Sequence, residues 1–91
     1  MLDTRTVTLH VVYLARLREA FASTGEAFAL AGDVTTVAEV IDALRGRGGA
    51  WATELAPGRA VRIAVNQVMA SPSTRVHAGD EVALFPPVTG G

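Results

Sequence analysis

The apolar periodicities of this 91-residue chain predict an α+β domain, a small mixed sheet packed against one main helix with short helices beside it. Three observations carry that prediction. Period-two alternation marks strands over residues 7–13, which are rich in β-branched residues, and 61–65, and a further strand follows the Ala78-Gly79-Asp80 turn over 81–85. Between them Val37, Val40, Ile41 and Leu44 recur at i, i+3, i+4 and i+7, one clean helical stripe. The helices are segregated rather than alternating with every strand, which is the α+β arrangement.

Taken in order, Val7, Leu9, Val11 and Tyr13 share one side of the first strand, with His10 and Val12 on the other. Leu14, Leu17 and Phe21 then predict a short amphipathic helix over residues 14–22, ended near Gly25. Residues 26–30 read as a strand with Phe28 and Leu30 inward, and Ala31-Gly32-Asp33 as a turn. Thr36-Val37-Ala38-Glu39 fits a capping box at the start of the main helix, which Gly46, Gly48 and Gly49 stop. Trp51 and Leu55 suit one face of a further short helix before Pro57-Gly58. Asn66-Gln67 suits a tight turn after the 61–65 strand, because asparagine tolerates the left-handed region. Val68-Met69-Ala70 returns as a short strand that Ser71-Pro72-Ser73 interrupts. Ala78-Gly79-Asp80 turns into the last strand. The domain is expected to span residues 1–85, with an extended tail over 86–91.

Composition narrows the chemistry. A chain this short buries roughly 60–65% of its unfolded surface, and its 49% apolar content supplies a core without cross-links. There is no cysteine, which excludes disulfides, thiolate metal sites and cysteine nucleophiles. There is no lysine either, so no phosphate-loop lysine and no Schiff base. Eight basic residues, all arginine, face nine acidic ones for a net charge of −1, without the basic excess of a nucleic-acid binder. Met1-Leu2-Asp3-Thr4-Arg5 lacks a signal-peptide pattern, and no apolar stretch is long enough to span a bilayer. A soluble, cytoplasmic protein is expected, with no membrane partner.

Side-chain chemistry is sparse. His10 and His77 lie far apart without metal-ligand spacing, and no metal is expected. Ser23, Ser71 and Ser73 lack a nucleophile-elbow context. Gly46-Arg47-Gly48-Gly49 follows a helix instead of opening one, so it reads as termination and not as a phosphate cradle. Asp80 and Glu81 enter a strand on opposite faces and read as solvated turn charges. Arg45, Arg47, Arg59, Arg62 and Arg75 suit either a partner-facing patch or a solvated surface.

The end of the chain is different. Pro86 and Pro87 fix φ near −65°, stop the strand and extend the chain. The last six residues reach roughly 20 Å when extended, and two residues without Cβ atoms finish them. Such a tip is narrow enough to thread a channel and present an unhindered carboxylate. With no cysteine, covalently carried sulfur would most naturally sit on that terminal carbonyl.

Gly79-Asp80-Glu81-Val82-Ala83-Leu84-Phe85-Pro86-Pro87-Val88-Thr89-Gly90-Gly91 closely resembles the end of the molybdopterin synthase small subunit family, ubiquitin-like β-grasp sulfur carriers. More loosely, the 7–13 strand, Leu14-Ala15-Arg16-Leu17-Arg18, Thr36-Val37-Ala38-Glu39-Val40 and Val65-Asn66 resemble it too. The resemblance implies that an ATP-dependent activating enzyme adenylates Gly91, which then becomes a thiocarboxylate. It further implies insertion into the large subunit, in a heterotetramer, where sulfur passes to a precursor pterin. Gly90 and Gly91 would be the threading tip, Phe85 and Pro86 the anchor, and Pro87, Val88 and Thr89 the partner-contacting stalk between. The family's catalytic side chains belong to the large subunit, so none is assigned here, and no cofactor is expected on this chain. The 46–58 segment is longer than the resemblance leads one to expect.

Three alternatives stand beside this one: a carrier for thiamine thiazole, cysteine or tRNA thiolation; a modifier joined to target lysines through Gly91; and a β-grasp binding module with an idle tail. The missing lysine suits an activated acyl end, which meets no internal amine except the N-terminus. A lysine introduced near the tail is therefore expected to yield cross-linked species with activating enzyme and ATP, seen as new bands on denaturing gels; none appearing would discard the idea.

Overall fold

A computed structural model describes residues 5–87. Ten elements follow in order: β1 (Thr6–Tyr13), α1 (Arg16–Ala20), β2 (Gly25–Ala31), β3 (Val34–Thr36), α2 (Val37–Arg45), α3 (Gly49–Glu54), β4 (Arg62–Val65), β5 (Val68–Met69), β6 (Arg75–His77) and β7 (Glu81–Phe85). Five strands form the main sheet in the order β2-β1-β7-β4-β5, and β3 pairs with β6 alongside. β1 and β7 are parallel, and every other pairing is antiparallel. This is a β-grasp, with α2 as the main helix held against one face of the sheet.

The alternation in β1 sets the core. Val7, Leu9, Val11 and Tyr13 are at most 1% exposed and join Val37, Val40 and Leu44 of α2 and Val82 and Leu84 of β7. Each such side chain contributes about 1.5–3 kcal/mol when taken from water. Ile41, Phe28 and Leu30 pack at the margin. At the head of α2 the Thr36 hydroxyl accepts the Glu39 N–H at 3.3 Å, which is the threonine half of the expected capping box. The Glu39 carboxylate in turn meets the hydroxyls of Thr35 and Thr36.

Several elements differ from the sequence reading. The first helix is only Arg16–Ala20, and Leu14 precedes it and is 41% exposed. The reason is local: Leu14 still donates its N–H to the Leu84 carbonyl, and Ala15 sits at φ 55°, so the helix starts two residues later. Leu17 and Phe21 are buried as predicted. Gly25 is not the helix stop but part of β2, where a Cβ would lie 2.6 Å from the Val11 carbonyl oxygen. Glycine lets the two strands approach. β3 and β6 have three residues each, too short to show a period. Gly46-Arg47-Gly48-Gly49 does end α2, yet it also opens α3, with Gly48 at φ 76° in the turn between them.

An aromatic and ionic cluster ties α3 to the sheet. The rings of Phe21 and Trp51 stack with centroids 3.8 Å apart, and Tyr13 meets both edge-on at 5.1 and 5.3 Å. Arg47 lies over Trp51 at 4.5 Å and over Phe28 at 5.0 Å. It also grips Glu26 with two bonds of 2.7 and 2.8 Å, and the Tyr13 hydroxyl donates to the same carboxylate at 2.7 Å. The Arg47 hydrogen bonds hold the Glu26 carboxyl below the ordinary carboxylate range. Burial, then the bond to Glu26, pushes the Tyr13 hydroxyl up.

A depressed carboxylate stabilises the folded state above its unfolded pKa of about 4.3, and that contribution is lost as pH falls through the folded value. Arg47→Ala is expected to cost about 1–2 kcal/mol near neutral pH, from the ion pair and the cation–π contacts together. It should also flatten the stability loss between about pH 5 and pH 3. Urea denaturation across that range checks both.

Candidate functional site

The root of the tail is the strand β7, the middle strand of the main sheet. On one edge it pairs with β1, as His10 with Glu81, Val12 with Ala83 and Tyr13 with Leu84. On the other it pairs with β4, as Arg62 with Phe85, Ala64 with Ala83 and Val65 with Val82. Val82 and Leu84 point into the core and are fully buried, so their neighbours Glu81, Ala83 and Phe85 project to the face that carries no helix.

That open face has two ends of different character. Across it the register sets Met69, Ala64, Ala83 and Val12 side by side. Phe85 follows, half-buried, with exposed Arg62 opposite it and exposed Leu14 beyond the end of β1. Met69 is 58% exposed, while Ala64 and Ala83 are 7% and 8% exposed yet outside the core cluster. The apolar end is thus the end from which Phe85 hands the chain to Pro86 and Pro87. The other end is polar: His10 and Glu81 face each other there, and Asn66 bonds Asp80 at 3.1 Å. Asp80 is no merely solvated turn charge, because its carboxylate also accepts the His77 N–H at 2.8 Å, and these bonds hold its pKa down.

Of the expected site residues, Phe85, Pro86 and Pro87 lie at this junction, each half-buried. Val88, Thr89, Gly90 and Gly91 lie outside the described residues. The five arginines divide. Arg45 bonds the Leu55 carbonyl and Asp42, Arg47 holds Glu26, and Arg59 shares Glu54 with Arg16. Only Arg62 of that group borders the tail root, while Arg75 is an exposed residue of β6. Among the described residues no group of three His, Asp or Glu side chains is placed to hold a metal. No helix there is long and apolar enough to cross a membrane.

The sequence reading did not single out Val12, Leu14, Ala64, Met69 and Ala83. A signal existed: outward positions on four adjoining strands are apolar where a solvated face would be polar. Strand order was needed to see that they adjoin.

The element order, the mixed sheet with its parallel central pair and the main helix across one face define a small β-grasp domain. Residues 11–91 match the ThiS family, and the chain belongs to that family. It is 37% identical to the molybdopterin synthase sulfur carrier subunit of Haemophilus influenzae and 36% identical to that of Escherichia coli K12. Each likeness covers 91% of this chain and 99% of the relative. Among solved structures, SAMP1 of Haloferax volcanii, a small archaeal modifier protein, superposes with a TM-score of 0.76 at 31% identity over 92% of this chain and 99% of that one.

Because ladders hold β7 on both edges, the amides of Val82–Leu84 are expected to exchange with solvent only through global unfolding, whereas those of Val68 and Met69, on the short outer strand, exchange by local opening. Native-state hydrogen exchange read by NMR tests the contrast.

Proposed function

We propose that this chain is the sulfur-carrier subunit of a molybdopterin synthase and that the Gly91 carboxylate is its working group. The observation that carries the reading is the junction at Phe85-Pro86: a strand gripped on both edges ends at an apolar surface, a few residues before Gly90-Gly91 in the sequence. The near-full-length likeness to two molybdopterin synthase sulfur carrier subunits supports the choice of pathway.

The chemistry runs through the main-chain terminus. The Gly91 carboxylate attacks the α-phosphorus of ATP on a separate activating enzyme, releasing pyrophosphate and leaving an acyl adenylate. Hydrosulfide from a donor then attacks the acyl carbon and displaces AMP, and loss of its proton leaves a thiocarboxylate. In the large subunit, partner of this chain in a heterotetramer, the sulfur passes to the precursor pterin and water restores the carboxylate. Phe85 and Pro86 seat the root against the partner, Pro87, Val88 and Thr89 form the contacting stalk, and Gly90 and Gly91 thread its channel. The chain itself holds no cofactor in this scheme, and the ATP belongs to the activating partner. These steps take place in the cytoplasm, where that ATP is found.

A second reading, a protein modifier, draws support from the likeness to SAMP1. The same adenylate would then acylate a lysine of a target protein. Incubation with activating enzyme, ATP and a sulfur donor is expected to give an oxygen-for-sulfur mass increase located on Gly91, and deletion of Gly91 is expected to abolish it. Addition of large subunit and precursor pterin should return the original mass. Intact-mass spectrometry that instead finds the chain joined to lysines of other proteins would favour the modifier, and no change at Gly91 under any condition would overturn both.

A further inference from the structure

The main sheet has one long free edge, β2, at the side away from β4 and β5. The Tyr13 N–H bonds the Thr24 carbonyl at 3.1 Å, and the Gly32 N–H bonds the Arg5 carbonyl at 3.0 Å. With Leu9 opposite Phe28 and Val7 opposite Leu30, the even-numbered residues of β2 are those that bond β1. Antiparallel strands bond one neighbour at alternate residues. Gly25, Ala27, Ala29 and Ala31 therefore aim their N–H and C=O groups off the sheet. The Ser23 hydroxyl meets both groups of Gly25, at 3.2 and 3.1 Å. Those of Ala27, Ala29 and Ala31 have no protein partner among the described residues.

The devices that normally blunt such an edge are missing. β2 has no proline and no lysine, and its pairing with β1 runs through seven residues without a bulge. Its one charge, Glu26, is turned to the helix side and neutralised by Arg47. On the open face it offers only the methyl groups of Ala27, Ala29 and Ala31, all exposed.

We propose that β2 is the seam of a homodimer, two copies pairing antiparallel about a twofold axis at Ala29. This register sets Ala29 against Ala29 of the second copy and Ala27 against its Ala31. Every free N–H on one copy then meets a free C=O on the other. On the helix side Phe28 falls opposite Leu30 of the second copy, an apolar pair at the close, non-bonded positions. Glu26 falls opposite Gly32 of the second copy, so no like charges are opposed. Centring on Phe28 instead would set Glu26 against Leu30 and spend a bond on Gly25, which Ser23 already satisfies. A seam this narrow falls short of the about 800 Å² per partner of a stable interface, so the dimer depends on concentration. β7 lies two strands in from the seam, so the tail root of each copy stays clear.

Sedimentation velocity over a concentration series tests this. The wild-type mass should rise from the 9.5 kDa of one chain toward twice that value. Ala29→Asp and Ala29→Arg each oppose like charges on the axis and should weaken self-association roughly tenfold or more. An equimolar mixture of the two should restore the dimer. Circular dichroism confirms that each variant is folded, and concentration-dependent shifts of the Ala27, Ala29 and Ala31 amides in wild type give a readout free of mutation. A wild type monomeric at millimolar concentration, or a mixture no more associated than its components, overturns the proposal.

Discussion

The last strand of the chain sits in the middle of its sheet. β7 pairs with β1 in parallel and with β4 antiparallel, so it can close only after the intervening chain has crossed over and been covered. α2 does that covering, with Val37, Val40 and Leu44 against the inward residues of β1 and β7. The consequence is mechanical. Residues 81–85 form a strand held on both edges, and Val82 and Leu84, just upstream of the prolines, are fully buried. The Pro86-Pro87 segment thus gains a fixed origin from backbone pairing alone. Such dependence on non-local pairing makes folding slower than local helices alone would allow.

A second constraint acts from the other side of the core. The segment between α2 and β4 has no strand to anchor it, and the Glu26–Arg47 pair does so instead. Arg47 reaches back over Phe28 and Trp51, so one guanidinium fixes the α2–α3 turn, closes the aromatic stack and neutralises the carboxylate on β2. Two bonds with planar geometry suit arginine in a way that lysine would not match. Residues 46–58 are therefore tied to the core, through buried Leu55 and partly buried Trp51.

Function and surface divide along the same line. The helix-bearing face carries α2 and the core beneath it. The open face carries the apolar apron of Val12, Ala64, Ala83 and Phe85 at the tail end and hydrogen-bonded polar groups at the other. A partner that accepts the tail has contact surface on one side of its root, and Arg62 marks the border. Most other arginines are spent internally, which is why a count of basic residues says little about what the surface recognises.

The amino-acid sequence alone determined β1, α2, β4 and β7 as elements, the Asn66-Gln67 turn with both residues at positive φ, and the inward stripes of β1 and α2. It also determined the terminal motif and, by the lack of cysteine and lysine, which chemistries the chain cannot perform. Period two says which residues share a face, but not which strand lies beside which. The start of α1, the pairing of the three-residue strands β3 and β6, the service of Arg47 to Glu26 and the apolar apron around Phe85 were decided only by the tertiary structure. Each depends on a contact between residues distant in the chain, and local patterns of apolar and polar residues contain no information about such distances.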